Sequence, residues 1–328
     1  MTVLAGDAGG TKTILALVEG EEHDFRIVAE ERFASAEYPG LAPIVRRFLE
    51  AHEATVEAAC FGVPGAVRHG ECGTPNLPWF LSESELESAT GVPHVRLVND
   101  FAAAAAGVLV LPPSALLALQ PGRPVSTGHK AVLGAGTGLG QAILVWDGSQ
   151  HLIVPTEAGH ADFAPQGDLQ RELAASLEAK LGHVSVERLV SGPGLRRIYE
   201  FLVERGVSSW PEVREAFAVD DPAAVISSYA LRRRDLACEQ ALDLFFELYG
   251  AEAGNLALRT LPTGGLYVVG GIAIKNLEKL QDGTFMRAFR RKGRLRAVLE
   301  QIPVHVALEH LVGLLGAARE AVRLVPVR

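Results

Sequence analysis

Two stretches of this 328-residue chain follow one grammar, an apolar strand, a glycine corner and a second apolar strand. Val3 to Asp7 reads as a buried strand, Gly9-Gly10-Thr11 as a tight turn and Ile14 to Val18 as the returning strand. The same order recurs from Ala131-Val132-Leu133, through Gly134-Ala135-Gly136-Thr137-Gly138-Leu139-Gly140, to Ala142-Ile143-Leu144-Val145. Two such hairpins, each opening an α/β segment, predict a duplicated fold with a cleft between its halves. At ~150 residues per domain, the length also makes about two domains.

Between and after the hairpins the pattern changes. Residues 168–260 read almost entirely as helix. Pro112-Pro113, following the alanine-rich Ala102 to Ala106, marks a junction near 110, because proline ends helices and removes backbone donors. Leu311 to Leu324 reads as a helix whose Gly313, Gly316 and Ala317 permit close approach to a second helix. The predicted organisation is a small α/β domain from 1–110 plus 312–328, and a larger, helix-rich α/β domain over 111–311.

Composition narrows the partners. With 48% hydrophobic and 21% charged residues the chain is ordered rather than disordered. Its 31 basic against 39 acidic residues give a net charge of −8, which disfavours nucleic acid and anionic membranes and points to a small ligand. The basic run Arg287 to Arg296 reads as a solvated helix face. Cys60, Cys72 and Cys238 fit neither a disulfide framework nor a zinc knuckle, so a reducing cytoplasm is expected. No targeting segment is visible, and the longest apolar run, Ala102 to Leu111, is too short to span a bilayer.

Phosphate groups need several backbone N–H donors converging on a turn without obstructing side chains, and glycine offers both positive φ and room. Gly9-Gly10-Thr11 and Gly136-Thr137-Gly138 qualify; neither is a Walker or Rossmann loop, since each feeds a strand. Asp7 ends the first strand where a carboxylate can hold Mg²⁺ through water, with Thr11 facing phosphate oxygens. Asp100 follows Val95-Arg96-Leu97-Val98-Asn99 at a strand's C-terminal end, where α/β folds collect ligands; its plainer reading is a helix N-cap. Pro155 to Asp162 concentrates polar groups suited to a polyhydroxylated ligand, with a divalent metal site or a surface turn as rivals. Glu187, before Ser191-Gly192-Pro193-Gly194, looks like a solvated glutamate. Leu266 to Val269 with Gly270-Gly271 either lets an adenosine lie against the backbone or is a plain strand–helix connection.

Taken in order, Asp7-Ala8-Gly9-Gly10-Thr11, Asn99-Asp100-Phe101, Gly134 to Gly140, Glu157-Ala158-Gly159-His160, Glu187 to Gly194 and Val269-Gly270-Gly271 resemble the bacterial glucokinase family across nearly the whole chain. The resemblance implies a two-domain actin-like, ribonuclease H-like α/β fold whose domains close over ATP-Mg²⁺ and a hexose. It implies transfer of the γ-phosphoryl of ATP to the 6-hydroxyl of glucose, giving glucose 6-phosphate. By the same resemblance Asp7, Gly9, Gly10, Thr11, Lys12, Thr137 and Gly138 address the nucleotide phosphates, and Gly270 and Gly271 the adenosine. Asn99, Asp100, Glu157, His160 and Glu187 match the residues that hold glucose hydroxyls, Asp100 matches the general base, and a homodimer is implied.

Two positions depart from the family pattern. Lys12 stands where many relatives carry Asn, and Ala158 replaces a frequent glycine; neither removes a proposed functional group. The cysteine-rich zinc motif of the related repressor/kinase group is absent, so no structural zinc is expected. The alternatives are a kinase for another hexose, a non-enzymatic sugar sensor of the same fold, and an actin-like ATPase without a sugar pocket. The donor, whether ATP, ADP or polyphosphate, is open, because the glycine turns suit any phosphate chain.

Overall fold

In the computed structural model, residues 1–22, 24–74 and 77–326 are described, so the last two residues of the expected 312–328 segment lie outside the described residues. The chain divides into two compact units, one of Met1–Ala115, Ile153–Pro155 and Leu311–Arg328, the other of Leu116–Leu152 and Thr156–His310.

The first unit runs β1 (Thr2–Ala8), β2 (Lys12–Glu21), β3 (Asp24–Ala34), α1 (Leu41–Ala51), β4 (Ala59–Val63), β5 (Glu71–Gly73), β6 (Phe80–Ser82), α2 (Glu83–Thr90), β7 (Val95–Asn99) and α3 (Asp100–Val108), and is joined by a C-terminal helix, Val312–Leu324. Its main sheet has the order β3-β2-β1-β4-β7, a three-stranded antiparallel meander followed by two parallel strands. Period-two alternation in β1 sends Leu4 into one core with Leu41, Ile44 and Phe48 of α1, and Val3 and Ala5 into another with Leu314, Ala317 and Ala321 of the C-terminal helix.

The C-terminal helix also crosses α3 at small residues. A Cβ at Gly316 would overlap the Ala103 carbonyl, and one at Gly107 the Val312 carbonyl. Gly316→Ala is therefore expected to lower stability by about 3 kcal/mol, because backbone cannot yield as a flexible side chain can. Chemical denaturation checks this; an unchanged midpoint would show that the two helices separate without cost.

The second unit contains β8 (Leu116–Gln120), β9 (Lys130–Ala135), β10 (Leu139–Trp146), the ends of β11 (His151–Thr156, of which Ile153–Pro155 are assigned to the first unit), α4 (Gly167–Leu181), α5 (Gly192–Glu204), α6 (Pro211–Ala216), α7 (Pro222–Leu231), α8 (Leu236–Thr260), β12 (Gly265–Val269), α9 (Gly271–Lys275), α10 (Leu277–Gln281), α11 (Thr284–Arg290), α12 (Arg296–Leu299) and β13 (Val304–Ala307). The sheet order is β11-β10-β9-β12-β13-β8, so the pattern of a meander followed by two parallel strands recurs. The second hairpin is tighter than the sequence reading of Gly134 to Gly140: β9 runs to Ala135 and β10 restarts at Leu139, leaving Gly136-Thr137-Gly138 as the turn.

Helix α8 forms the centre of this unit's core, with Phe245, Phe246 and Tyr249 fully buried. Its N-cap Asp235 is buried and accepts from Cys238 N, Trp210 N and Ser209 Oγ, each at 2.8 Å. Burial opposes its charge, but these donors outweigh that and hold the carboxyl below its ordinary value of 3.8. A lowered folded pKa gives stability that is complete above the unfolded value and is lost as pH falls through the folded one. The melting-temperature gap between wild type and Asp235→Ala is thus expected to be full at neutral pH and to shrink below about pH 4; a gap constant down to about pH 2 would refute the linkage.

The basic run Arg287 to Arg296 is more than a solvated face. Arg290 donates to Gln120 Oε1 at 2.6 Å, Arg291 pairs with Glu247 at 2.8 Å, and Lys292 donates to Ala251 O and Asn255 Oδ1. These bonds tie the end of α11 and the loop after it to β8 and α8, because Phe285, Met286, Ala288 and Phe289 bury the helix's other face.

Candidate active site

In the first unit the pairing register gathers the expected groups on one edge of the sheet. Asp7 on β1 lies opposite Gly62 on β4, and Val63 opposite Asn99 on β7, so Asp7 and Asn99 leave the sheet at the same end, two strands or about 10 Å apart. Between them Gly62 leaves room for α3, since a Cβ there would come within 3.2 Å of the Ala103 methyl and 3.6 Å of the Asp100 Cα.

The turn beside Asp7 is closed by Gly9 N donating to Lys12 O at 2.9 Å. It is fixed from outside by Ser35, whose hydroxyl donates to Gly9 O at 2.7 Å and contacts Thr13 Oγ1 at 3.0 Å, and whose amide reaches Thr11 O at 3.1 Å. Thr11 and Lys12 are exposed, Gly9 and Gly10 half-buried. Burial raises the Asp7 carboxyl above its ordinary value, and the Lys12 ammonium counteracts this. Ser35 was not anticipated from the sequence, because nothing local marks a serine 26 residues from the glycine it holds.

The sequence argument invoked positive φ for the turn glycines, and the structure corrects it. Positive φ occurs at Gly270 (96°) but not at Gly9, Gly10, Gly136 or Gly138. At Gly9 and Gly138 glycine supplies room instead: a Cβ at Gly9 would sit 3.0 Å from Lys12 O, and one at Gly138 2.5 Å from Glu187 Oε2, whereas one at Gly136 would meet nothing within 4 Å.

The N-cap reading of Asp100 is also corrected. The cap of α3 is Asn99, whose Oδ1 accepts from Phe101 N at 3.0 Å and Ala102 N at 3.2 Å while its Nδ2 donates to Gly65 O at 3.1 Å. Asp100 is instead the first residue of the helix, exposed, with Oδ1 accepting from Phe101 N at 2.7 Å. The first turn of a helix favours negative charge. That charge reaches the buried Cys72, whose thiol is pushed up first by burial and then by Asp100.

In the second unit Glu157, His160 and Glu187 come together. His160 Nδ1 lies 3.7 Å from Glu187 Oε1 and its Nε2 3.8 Å from Glu157 Oε2, so a protonated imidazole would pair with both. His160 and Glu157 are exposed, whereas Glu187 is half-buried. A short 3-10 turn, Ala158–His160, places the imidazole, and it fits only because Gly159 has no side chain; a Cβ there would overlap the Leu139 carbonyl. Glu187 is no loose surface glutamate. Its Oε2 accepts from Leu139 N at 2.9 Å, tying it to the strand that leaves the glycine turn. Ser191 Oγ donates back to Glu187 O at 2.7 Å and caps α5 through Gly194 N at 3.1 Å.

The turn Gly136-Thr137-Gly138 is closed by Gly136 N to Gly138 O, and Gly192 N donates to Gly136 O, both at 2.8 Å. Val269 pairs with Gly134, so Gly270-Gly271 emerges beside this turn, and a Cβ at Gly271 would meet nothing within 4 Å. Adjacent is a cavity of about 490 Å³ reached by Gly136 and Gly271, with Ser227, Arg232, Lys275 and Asn276 as polar lining and Leu195 and Ile272 among its apolar walls. Such a mixture suits a heteroaromatic ring bearing a sugar and phosphates. The sequence singled out only the two glycines, because the other lining residues come from α5, α7 and α9 and share no local motif.

Among the described residues no group of three or more His, Cys, Asp or Glu side chains is placed to hold a metal ion by itself. Asp7 is the one expected carboxylate beside the first glycine turn, and Mg²⁺, which keeps most of its waters, would take one or two carboxylates plus substrate phosphates. Among the described residues no helix is long and apolar enough to cross a membrane.

The family model and the similar curated relatives agree. The glucokinase family model matches residues 4–323. A glucokinase of Nostoc punctiforme is 44% identical, the match covering 98% of this chain and 99% of that protein. Among solved structures, a glucokinase from an Antarctic psychrotroph superposes with a TM-score of 0.85 at 30% identity, covering 98% of each chain. A repressor/kinase-group glucokinase from Streptomyces griseus, in complex with glucose and AMPPNP, shares the fold at a TM-score of 0.66 and 23% identity, covering 98% of this chain and 100% of that one.

Proposed function

Because the chain belongs to the glucokinase family, an ATP-dependent hexose kinase of actin-like α/β fold, we propose that Asp100 takes the proton of the glucose 6-hydroxyl as that oxygen attacks the γ-phosphorus of ATP. The new P–O bond gives glucose 6-phosphate, and the bond to the β-phosphate oxygen breaks, leaving ADP. The observation that most supports this reading is the convergence of Glu157, His160 and Glu187 beside the Gly136–Gly138 turn. Two carboxylates and an imidazole match vicinal hydroxyls, and a partner lacking one hydroxyl leaves them unsatisfied.

The chain's own groups divide the work. Asn99 is committed by both ends of its amide to α3 and Gly65, which makes its part in sugar binding one of fixing where Asp100 stands. Gly10, Thr11, Lys12, Thr137 and Gly138 present backbone donors, hydroxyls and one ammonium to the phosphates, and Gly9, whose amide closes the turn on Lys12 O, gives them room. Gly271 borders the cavity that takes the adenosine, and Gly270 turns the chain into it from β12. Asp7 receives Mg²⁺ through water, and the ion supplies neutralisation of the phosphate charge. The three buried thiols support a reducing cytoplasm as the site of action, and the family resemblance is the ground for a homodimer.

The test is a coupled assay with glucose, mannose and glucosamine, each against ATP, ADP and polyphosphate. Nucleotide turnover that requires glucose and ATP is the expected result. Turnover indifferent to every sugar would replace this reading with that of a plain ATPase.

A further inference from the structure

The amide of Ala135, at the root of the Gly136–Gly138 turn, is bonded from outside its sheet. Successive amides of a strand face opposite neighbours, so with Gly136 N donating toward Gly138, the Ala135 N–H falls on the side of β12. There the last pair of the ladder is Val269 with Gly134, so the amide stands at the sheet's end. The helical layer supplies an acceptor at that end: Tyr249 Oη on α8 accepts from Ala135 N at 3.0 Å.

The phenol is held for this purpose from all sides. Its ring is fully buried and lies edge-on to Phe285, with centroids 5.4 Å apart, and against Phe245 at 6.0 Å and Phe246 at 6.3 Å. Helix α11 approaches α8 closely enough that a Cβ at Gly250 would overlap the Phe285 carbonyl. One turn further along α8, the buried Glu252 accepts from Gln141 Nε2 at 2.9 Å, so the same helix also grips β10 beyond the turn.

From this arrangement we propose that Tyr249 is a positioning residue for the nucleotide: its hydroxyl fixes the phosphate-facing turn from behind without touching the substrate. The proposal rests on the assignment of Gly136–Gly138 to the phosphates. Without the hydroxyl, the amide keeps only what the end of the ladder offers, the turn loosens, and ATP has to restore its shape on binding.

The experiment compares Tyr249→Phe, Thr137→Val and wild type by steady-state kinetics, with melting curves and hydrogen exchange at the Ala135 amide. Tyr249→Phe is expected to raise KM for ATP by about tenfold, leave KM for glucose unchanged and accelerate exchange at Ala135, while Thr137→Val also raises KM for ATP. An effect of Thr137→Val alone overturns the positioning role and keeps the phosphate assignment. No effect of Thr137→Val overturns that assignment and the inference with it. Should Tyr249→Phe lower the melting temperature and move neither KM, its role is structural only. If that variant does not fold, Phe285→Leu loosens the ring but keeps the hydroxyl; it should raise KM for ATP by a smaller factor, and an unchanged KM would overturn the proposal.

Discussion

Asp100→Asn is expected to lower kcat by ~10²–10⁴ while the protein folds and binds glucose as before. The amide keeps an oxygen that accepts the Phe101 N–H, now bonded at 2.7 Å, so the start of α3 is preserved. What disappears is the capacity to receive a proton. Because Asn99 already caps the helix through Phe101 N and Ala102 N, the substitution leaves the capping bonds in place. Single-turnover rates together with the glucose-induced rise in melting temperature separate chemistry from binding, since a ligand bound by the folded state alone stabilises it. Near-normal kcat would remove Asp100 from the base's role.

Changes at Glu187 are expected to be nearly as large, and two variants separate its two jobs. Glu187→Gln keeps an oxygen for Leu139 N but loses the charge facing His160; kcat/KM for glucose should fall ~10–10², the worth of a charge-assisted hydrogen bond. Glu187→Ala in addition orphans the Leu139 amide and empties the space against Gly138, so it should lose a further ~1–3 kcal/mol of stability and raise KM for ATP as well. Isothermal titration with glucose, alongside denaturant melts, reads both. If Glu187→Gln binds glucose like wild type, the carboxylate serves the turn and not the sugar.

Local chemistry explains which parts of this molecule could be read without coordinates. The β1–β2 and β9–β10 hairpins are announced by apolar runs flanking glycines, and β7 and β12 lie where Val and Leu cluster; β4, ACFGV, carries no such run and is not read from the sequence. Strand β3 is harder to see, because its Asp24–Ala34 run lies at the sheet edge, breaks alternation at Val28-Ala29 and Glu30-Glu31-Arg32, and buries only Phe33. The hold of Ser35 on Gly9, the Tyr249 bond to Ala135 and the lining of the 490 Å³ cavity are long-range pairings, and no spacing rule in a single sequence reports them. The glycine corners were located by composition, yet the reason for them differs, room for Lys12 O and Glu187 Oε2 in place of a left-handed backbone. Asn99 and Asp100 show the same limit, since which of two adjacent polar residues caps a helix depends on where the strand lets go.

The C-terminal helix has a bearing on how the protein is made. Val3, Ala5, Ile14, Ala16 and Val18 present a greasy sheet face whose cover, Leu314, Ala317, Ala318, Ala321 and Val322, is translated only after the second unit. At ~5–20 residues per second a ribosome leaves that face naked for roughly 15–60 s, while the entire second unit is being synthesised. Nascent chains are then candidates for chaperone capture, and a frameshift or nonsense codon late in the message would strip a core from the opening domain rather than trim a tail.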